Sequence, residues 1–170
     1  MTRRHTAAGL LLAALALTGV TACDASGSIQ LGQQSAATDD SAARTSTLWA
    51  NRTEFTGDNS KIIALVRAAG FGHAGTYTIS LGTTARPYAV TVHLDDTAST
   101  AKPVDTTDFT APATILLGTV RNLDEVHVVG GSGTTFTLTK EAATSAIGYD
   151  VKLLGSDEGK LRQFTDGVED

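Results

Sequence analysis

Two histidines and two carboxylates occur in segments whose spacing predicts strands. His93 and Asp95 end an alternating run that begins at Tyr88, and Glu125 and His127 lie in a second alternating run. Alternation of apolar and polar residues is typical of a half-buried strand, so these side chains are expected on polar faces. Two imidazoles and a carboxylate can bind zinc if the strands are neighbours. Surface histidines on separate strands are usually only solvated, so we predict no metal and no cofactor and keep this cluster as an alternative.

The segment Gly57-Asp58-Asn59-Ser60 has the composition of a turn followed by a helix start. Free N–H groups at a helix N-terminus attract anions, which makes this corner a candidate ligand-binding site. The same residue types cap helices, because their side-chain oxygens accept those N–H groups. The carboxylate of Asp58 would also repel an anion. Helix capping is therefore the favoured interpretation.

The sequence contains no motif of known catalytic mechanism. The loop Gly130-Gly131-Ser132-Gly133 lacks a following Gly-Lys-Ser/Thr and precedes a strand pattern, so we predict a hairpin loop rather than a phosphate loop. Neither a Gly-x-Ser-x-Gly elbow nor a His-Glu-x-x-His helix is present. We therefore expect a protein that is not an enzyme. The alternative is an envelope metal-binding protein or hydrolase that uses His93 and His127 with nearby carboxylates.

The only cysteine, Cys23, directly follows Val20-Thr21-Ala22. Residues 1–22 have a basic start, an apolar run and small residues before a cleavage point, which is typical of a secretory signal peptide. The apolar run is shorter than the roughly 20 residues that span a membrane. The position of Cys23 resembles the lipobox of bacterial lipoproteins. That resemblance implies a lipidated (palmitate-bearing) N-terminal cysteine on the extracytoplasmic face of the cell membrane.

Residues 24–47 are mostly small and polar and show no sustained hydrophobic period. Such a segment buries too little apolar area to fold alone, so we predict a flexible tether. The predicted organisation is a signal peptide over 1–22, the lipidated cysteine and linker over 23–47, and one domain over 48–170. Loss of Arg3 and Arg4 with the signal changes the formal charge from -5 to -7, and no basic cluster remains. Binding to nucleic acid is therefore not expected.

Hydrophobic periodicity within the domain predicts three short helices and four strands. The predicted helices lie near 62–69, 110–121 and 140–147, and the predicted strands near 77–81, 88–94, 125–129 and 135–139. A weak helical turn is also expected around 159–164. This order favours an α+β fold, a small antiparallel sheet with about three short helices packed on one face.

Three segments share a pattern with a known family. They are Leu48-Trp49-x-Asn51-x-Thr53-x-Phe55-x-Gly57-Asp58-Asn59-Ser60-Lys61, then Arg86-Pro87-Tyr88, then the helix start from Thr137 to Glu141. Over about residues 48–150 the chain resembles Domain of Unknown Function 4825. This resemblance implies a bacterial extracytoplasmic domain, as found in small lipoproteins and attached to some membrane metallopeptidase sensors. Arg86 and Tyr88 of the shared pattern join the Gly57–Ser60 corner as candidate ligand-binding residues.

These observations together predict a membrane-anchored extracytoplasmic lipoprotein. We expect a non-catalytic binding or sensing module of the cell envelope whose partner is an envelope membrane protein or a small ligand.

Overall fold

The computed structural model describes residues 40–95 and 103–168. Within these ranges the chain forms six α-helices and a four-stranded sheet. The helices are α1 (40–51), α2 (Asn59–Ala69), α3 (Thr110–Thr119), α4 (Lys140–Ile147), α5 (Leu153–Ser156) and α6 (Glu158–Asp166). The strands are β1 (Tyr77–Gly82), β2 (Ala89–Leu94), β3 (Glu125–Val129) and β4 (Thr135–Thr139). The predicted α+β class is confirmed.

Local chemistry fixes the ends of the predicted helices. The Asp58 side chain accepts the N–H of Lys61 at the start of α2, and Gly70 ends that helix in the left-handed conformation with φ 99°. Thr139 caps α4 in the same way by accepting the N–H of Ala142. Side-chain caps and a left-handed glycine are the expected signals for a helix start and stop.

The sheet has the strand order β1-β2-β3-β4. Strands β1 and β2 are antiparallel, as are β3 and β4. The central pair β2 and β3 is parallel, with Val90 opposite Val126. The prediction of a purely antiparallel sheet is therefore wrong at this pair. The reason is that α3 carries the chain back to the end of the sheet at which β2 begins, and such a crossover produces parallel strands.

One face of the sheet is buried and the other is polar. Val90, Val92, Val126 and Val128 are each 0% exposed and join the hydrophobic core formed with the helices. The opposite face carries mainly polar residues that are exposed or half-buried, such as His93 and His127 respectively. This arrangement confirms that the helices pack on one face of the sheet.

Helix α1 contradicts the predicted linker over its last residues, because residues 40–47 are helical and packed on the domain. The Arg44 guanidinium donates to the carbonyls of Ala68 and Ala69 at 2.9 and 3.0 Å, which caps the end of α2. Buried Thr45 lies 2.7 Å from Thr165 of α6, measured between hydroxyl oxygens. The segment is polar yet ordered because its partners lie elsewhere in the chain. The signal peptide, Cys23 and the rest of the linker lie outside the described residues.

The C-terminal region contains more helix than predicted. The expected weak turn is the complete helix α6, which Asp157 caps and which buries Leu161 and Thr165. Helix α5 was not predicted, because a four-residue helix has no periodic signal. No helix in the described ranges has the length and apolar character required to cross a membrane.

Candidate functional site

A cleft of about 950 Å³ lies where the turn after α1, the end of α3 and the segment around α5 meet. Backbone bonds join the first two walls, because Thr53 N–H donates to Thr119 O at 3.0 Å and Arg121 N–H donates to Thr53 O at 2.8 Å. The Asn122 side chain accepts both the N–H and the hydroxyl of Thr56, at 2.7 and 2.8 Å. These contacts fix the geometry of the turn that carries the cleft wall.

The corner before β2 is held by Asp124. One carboxylate oxygen lies 3.3 Å from Arg86 Nη1, and the other accepts the Tyr88 N–H at 3.0 Å. The Arg86 guanidinium also lies 5.3 Å from the centroid of the Tyr88 ring. Asp124 therefore positions Arg86 at the edge of the cleft.

Lys152 lies in the cleft wall and caps the end of α3. Its Nζ donates to the carbonyl oxygens of Leu117, Val120 and Leu123 at 2.6, 2.8 and 2.8 Å. A cation at the C-terminus of a helix satisfies the free carbonyls and the helix dipole. Burial lowers the pKa of the Lys152 ammonium to about 8, with a smaller effect from Lys140 in the same direction. All three ammonium protons are used by these carbonyls, so the geometry gives Lys152 a structural role.

The cleft is polar and carries charges of both signs. Its lining includes six basic and four acidic side chains. The basic residues are Arg52, Lys61, Arg86, Arg121, Lys140 and Lys152, and the acidic residues are Glu54, Asp58, Asp124 and Asp150. The balance is therefore positive in a chain whose formal charge is -5.

The structure brings only part of the predicted ligand-binding set together. Asp58 and Arg86 line the cleft, but Gly57, Asn59, Ser60 and Tyr88 do not. Asp58 is the N-cap of α2 and also accepts the Thr53 hydroxyl at 3.3 Å. Its carboxylate therefore occupies the helix N-terminus that an anion would need.

The histidines that formed the alternative metal site lie on the open face of neighbouring strands. His127 Nε2 is 3.2 Å from Glu125 Oε2, and its Nδ1 is 2.9 Å from the Thr137 hydroxyl. His93 instead lies 2.9 Å from the Ser80 hydroxyl. In residues 40–95 and 103–168, no group of three or more His, Cys, Asp and Glu side chains is placed to hold a metal ion.

Sequence reasoning missed Asn122, Asp124 and Lys152, which shape the cleft. Each bonds to groups far away along the chain; Lys152 and Leu117, for example, are separated by 35 positions. A single lysine, asparagine or aspartate carries no periodic or motif signal. Only the tertiary packing that brings their distant partners together reveals what these side chains do.

The protein is thus a small α+β domain with a polar, net basic cleft beside the end of α3. Residues 48–140 match the family model described as Domain of unknown function (DUF4825), and the chain belongs to this family. This match confirms the resemblance predicted from the sequence. No curated protein and no solved structure matches the chain.

Proposed function

We propose that this protein is a lipid-anchored extracytoplasmic binding module that takes a small anionic ligand in the cleft. The observation that carries this proposal is the charge of the lining, which includes six basic and four acidic residues in a chain whose formal charge is -5. An excess of one charge in a concave site raises the local concentration of ligands of the opposite charge. Guanidinium groups also match the geometry of carboxylate and phosphate oxygens.

Two arginines at the cleft are well placed to contact such a ligand. The side chains of Arg86 and Arg121 are 67% and 76% exposed. The pair between Arg121 and Glu54, at 3.4 Å, lies at the surface, whereas Asp124, which pairs with Arg86 at 3.3 Å, is only 18% exposed. Exposed pairs contribute at most about 1 kcal/mol, so a bound anion can replace Glu54 as the partner of Arg121. The exposed guanidinium of Arg86 can contact the same anion while it keeps its pair with Asp124.

An NMR titration of the chain with inorganic phosphate, and separately with citrate, tests the cleft. We expect the amide signals of residues 52–54 and 121–124 to shift, and the shifts to weaken when Arg86→Gln and Arg121→Gln are combined. Arg162→Gln is the matched control, because Arg162 is an exposed arginine outside the cleft that pairs with Glu158. Unchanged cleft signals with both anions, or equal weakening by the control, would contradict the proposal.

The anchor is supported by the sequence pattern around Cys23, and the non-catalytic role by the lack of a known catalytic motif. Cell fractionation tests the anchor. Cys23→Ser is expected to move the protein out of the membrane fraction, while Ser28→Ala, in the adjoining linker, leaves it there. Retention of the Cys23→Ser variant would show that the lipid anchor is wrong.

A further inference from the structure

A second groove, of about 680 Å³, separates α2 from β1 on a different part of the surface. Asn59, Ile63 and Arg67 line its helical side at intervals of four residues, which places them on one face of α2. The strand side is formed by Tyr77, Thr78 and Ile79, and Gly72, Gly75 and Thr76 complete the lining. The groove therefore runs between a helix face and an edge strand.

Strand β1 forms one edge of the sheet. In the described part of the chain it pairs only with β2, in a continuous six-residue register from Tyr77 opposite Leu94 to Gly82 opposite Ala89. It contains no charged residue, proline or bulge, which are the features that block pairing at exposed edges. At the other edge of the sheet, a 3-10 helix (Val104–Thr106) packs against β4.

The groove offers an exposed aliphatic side chain, Ile63, and a charged side chain, Arg67. Ile63 is 49% exposed, which is unusual for a large aliphatic side chain in this domain. Arg67 is the only charged residue in the lining. The Arg67 guanidinium is exposed and makes no ion pair or hydrogen bond with any residue in 40–95 or 103–168. A complementary ligand would bring an apolar side chain and a carboxylate.

We propose that this groove receives an extended segment of a partner protein, which adds to β1 as a fifth strand. Main-chain bonds to β1 would provide affinity, while Ile63 and Arg67 would select an apolar residue and an Asp or Glu. The helix face from Asn59 to Arg67 is about 12 Å long at 1.5 Å per residue. At about 3.3 Å per residue of strand, it faces roughly four residues of the bound segment.

A second copy of this chain fits the groove less well. Pairing between two copies would place β1 of one copy along the groove of the other. The sequence of β1, Tyr-Thr-Ile-Ser-Leu-Gly, has no carboxylate to meet Arg67. A segment of a different protein that contains an acidic residue satisfies both features of the groove.

Selection from a random ten-residue peptide display library on the purified chain tests this proposal. Enriched peptides are expected to combine an apolar residue with Asp or Glu at a fixed spacing. Arg67→Glu should weaken their binding about tenfold or more, because like charges then face each other. A peptide with Lys in place of the acidic residue should restore binding to that variant. Arg162→Glu is the matched charge reversal on an exposed helix outside the groove, and it should change binding less than about twofold.

Hydrogen exchange separates strand addition from other modes of binding. Bound peptide is expected to slow the exchange of amides in Tyr77–Gly82, as a new strand would. Failure to enrich any peptide, equal binding to Arg67→Glu, or unchanged exchange in β1 would each overturn the proposal. Sedimentation that shows a dimer disrupted by Ile63→Asp would overturn it in favour of self-association. The NMR titration with phosphate or citrate probes the cleft, whose lining residues differ from those of this groove. The proposal of anion binding and the proposal of strand addition can therefore fail independently.

Discussion

Gly118 of α3 and Gly155 of α5 lie in direct backbone contact. A Cβ atom at Gly155 would lie 2.5 Å from the carbonyl oxygen of Gly118, and one at Gly118 would lie 2.6 Å from Leu154 Cβ. Because neither residue has a side chain, α5 can lie against the last turn of α3. This close approach brings Lys152, which precedes α5, within reach of the carbonyls that end α3.

Adding a methyl group at this contact should destabilise the domain. For Gly155→Ala we expect a loss of about 1–3 kcal/mol in the free energy of unfolding, because the backbone of α3 must shift. The measurement is urea unfolding followed by circular dichroism. Gly72→Ala is the control, because a Cβ there would make only an ordinary 3.9 Å contact with Tyr77. Equal stability of the two variants would contradict the close packing of α3 and α5.

Removing the Lys152 ammonium should leave the carbonyls at the end of α3 without their partner. Lys152→Met keeps most of the aliphatic side chain, so the expected loss of about 1–3 kcal/mol reports mainly the unsatisfied acceptors. Lys140→Met is the control, since Lys140 makes a surface pair with Glu141 at 3.2 Å. Chemical denaturation at neutral pH measures both variants. If Lys152→Met lowers the free energy of unfolding no more than Lys140→Met does, the Lys152 cap contributes little to stability.

The lowered pKa of Lys152 predicts a direction for the pH dependence of stability. The folded protein releases this proton near pH 8, whereas an unfolded lysine holds it to about pH 10.4. The unfolded chain binds more protons between these values, so the contribution of Lys152 to stability rises with pH there. The stability difference between wild type and Lys152→Met should therefore increase from pH 8 to pH 10. A decrease in this stability difference would mean that the hydrogen bonds to the carbonyls raise the pKa of Lys152 instead.

Thr114 in α3 offers a stabilising substitution. Its hydroxyl is buried and has no hydrogen-bond partner in the part of the chain that the structure describes. Thr114→Val keeps the shape and removes the unsatisfied group, so we expect a gain of roughly 1 kcal/mol. Thr119→Val is the control in the same helix, because the Thr119 hydroxyl donates to Ile115 O at 2.7 Å. The midpoint temperature of thermal unfolding should rise for Thr114→Val and should not rise for Thr119→Val.

Residues 40–47 should behave as part of the folded domain. Deleting them from the full chain removes the bonds from Arg44 to α2 and from Thr45 to α6, and about 1 kcal/mol is expected for each bond lost. Deletion of residues 30–37, an equal length of the predicted tether, is the control and should leave the unfolding midpoint unchanged. Equal midpoints for the two deletions would restore the predicted boundary at residue 48.

Several elements of the fold were predictable because their signals are local. The spacing of Ile62, Leu65, Val66 and Ala69 predicts α2, and Asp58 and Gly70 mark its ends. Alternating residues likewise predict all four strands to within one or two positions. The family pattern was also readable from the sequence, because it consists of short runs of residues.

Helix α1 and the pairing of β2 with β3 depended on long-range packing. Helix α1 looks like linker because its buried residues include Ser41 and Thr45, whose partners are on α6. The parallel pairing of β2 with β3 follows from the path of α3, which no strand pattern specifies.

The sequence by itself determined the α+β class, the identity of most elements and the family. Periodicity, capping and short motifs act between residues near one another in the chain, so the sequence records them directly. Only the tertiary structure decided that Lys152 caps α3, that Arg86 and Arg121 line one cleft, and that Arg67 stands beside an open edge of the sheet. These relationships join residues distant along the chain, and packing alone brings them together.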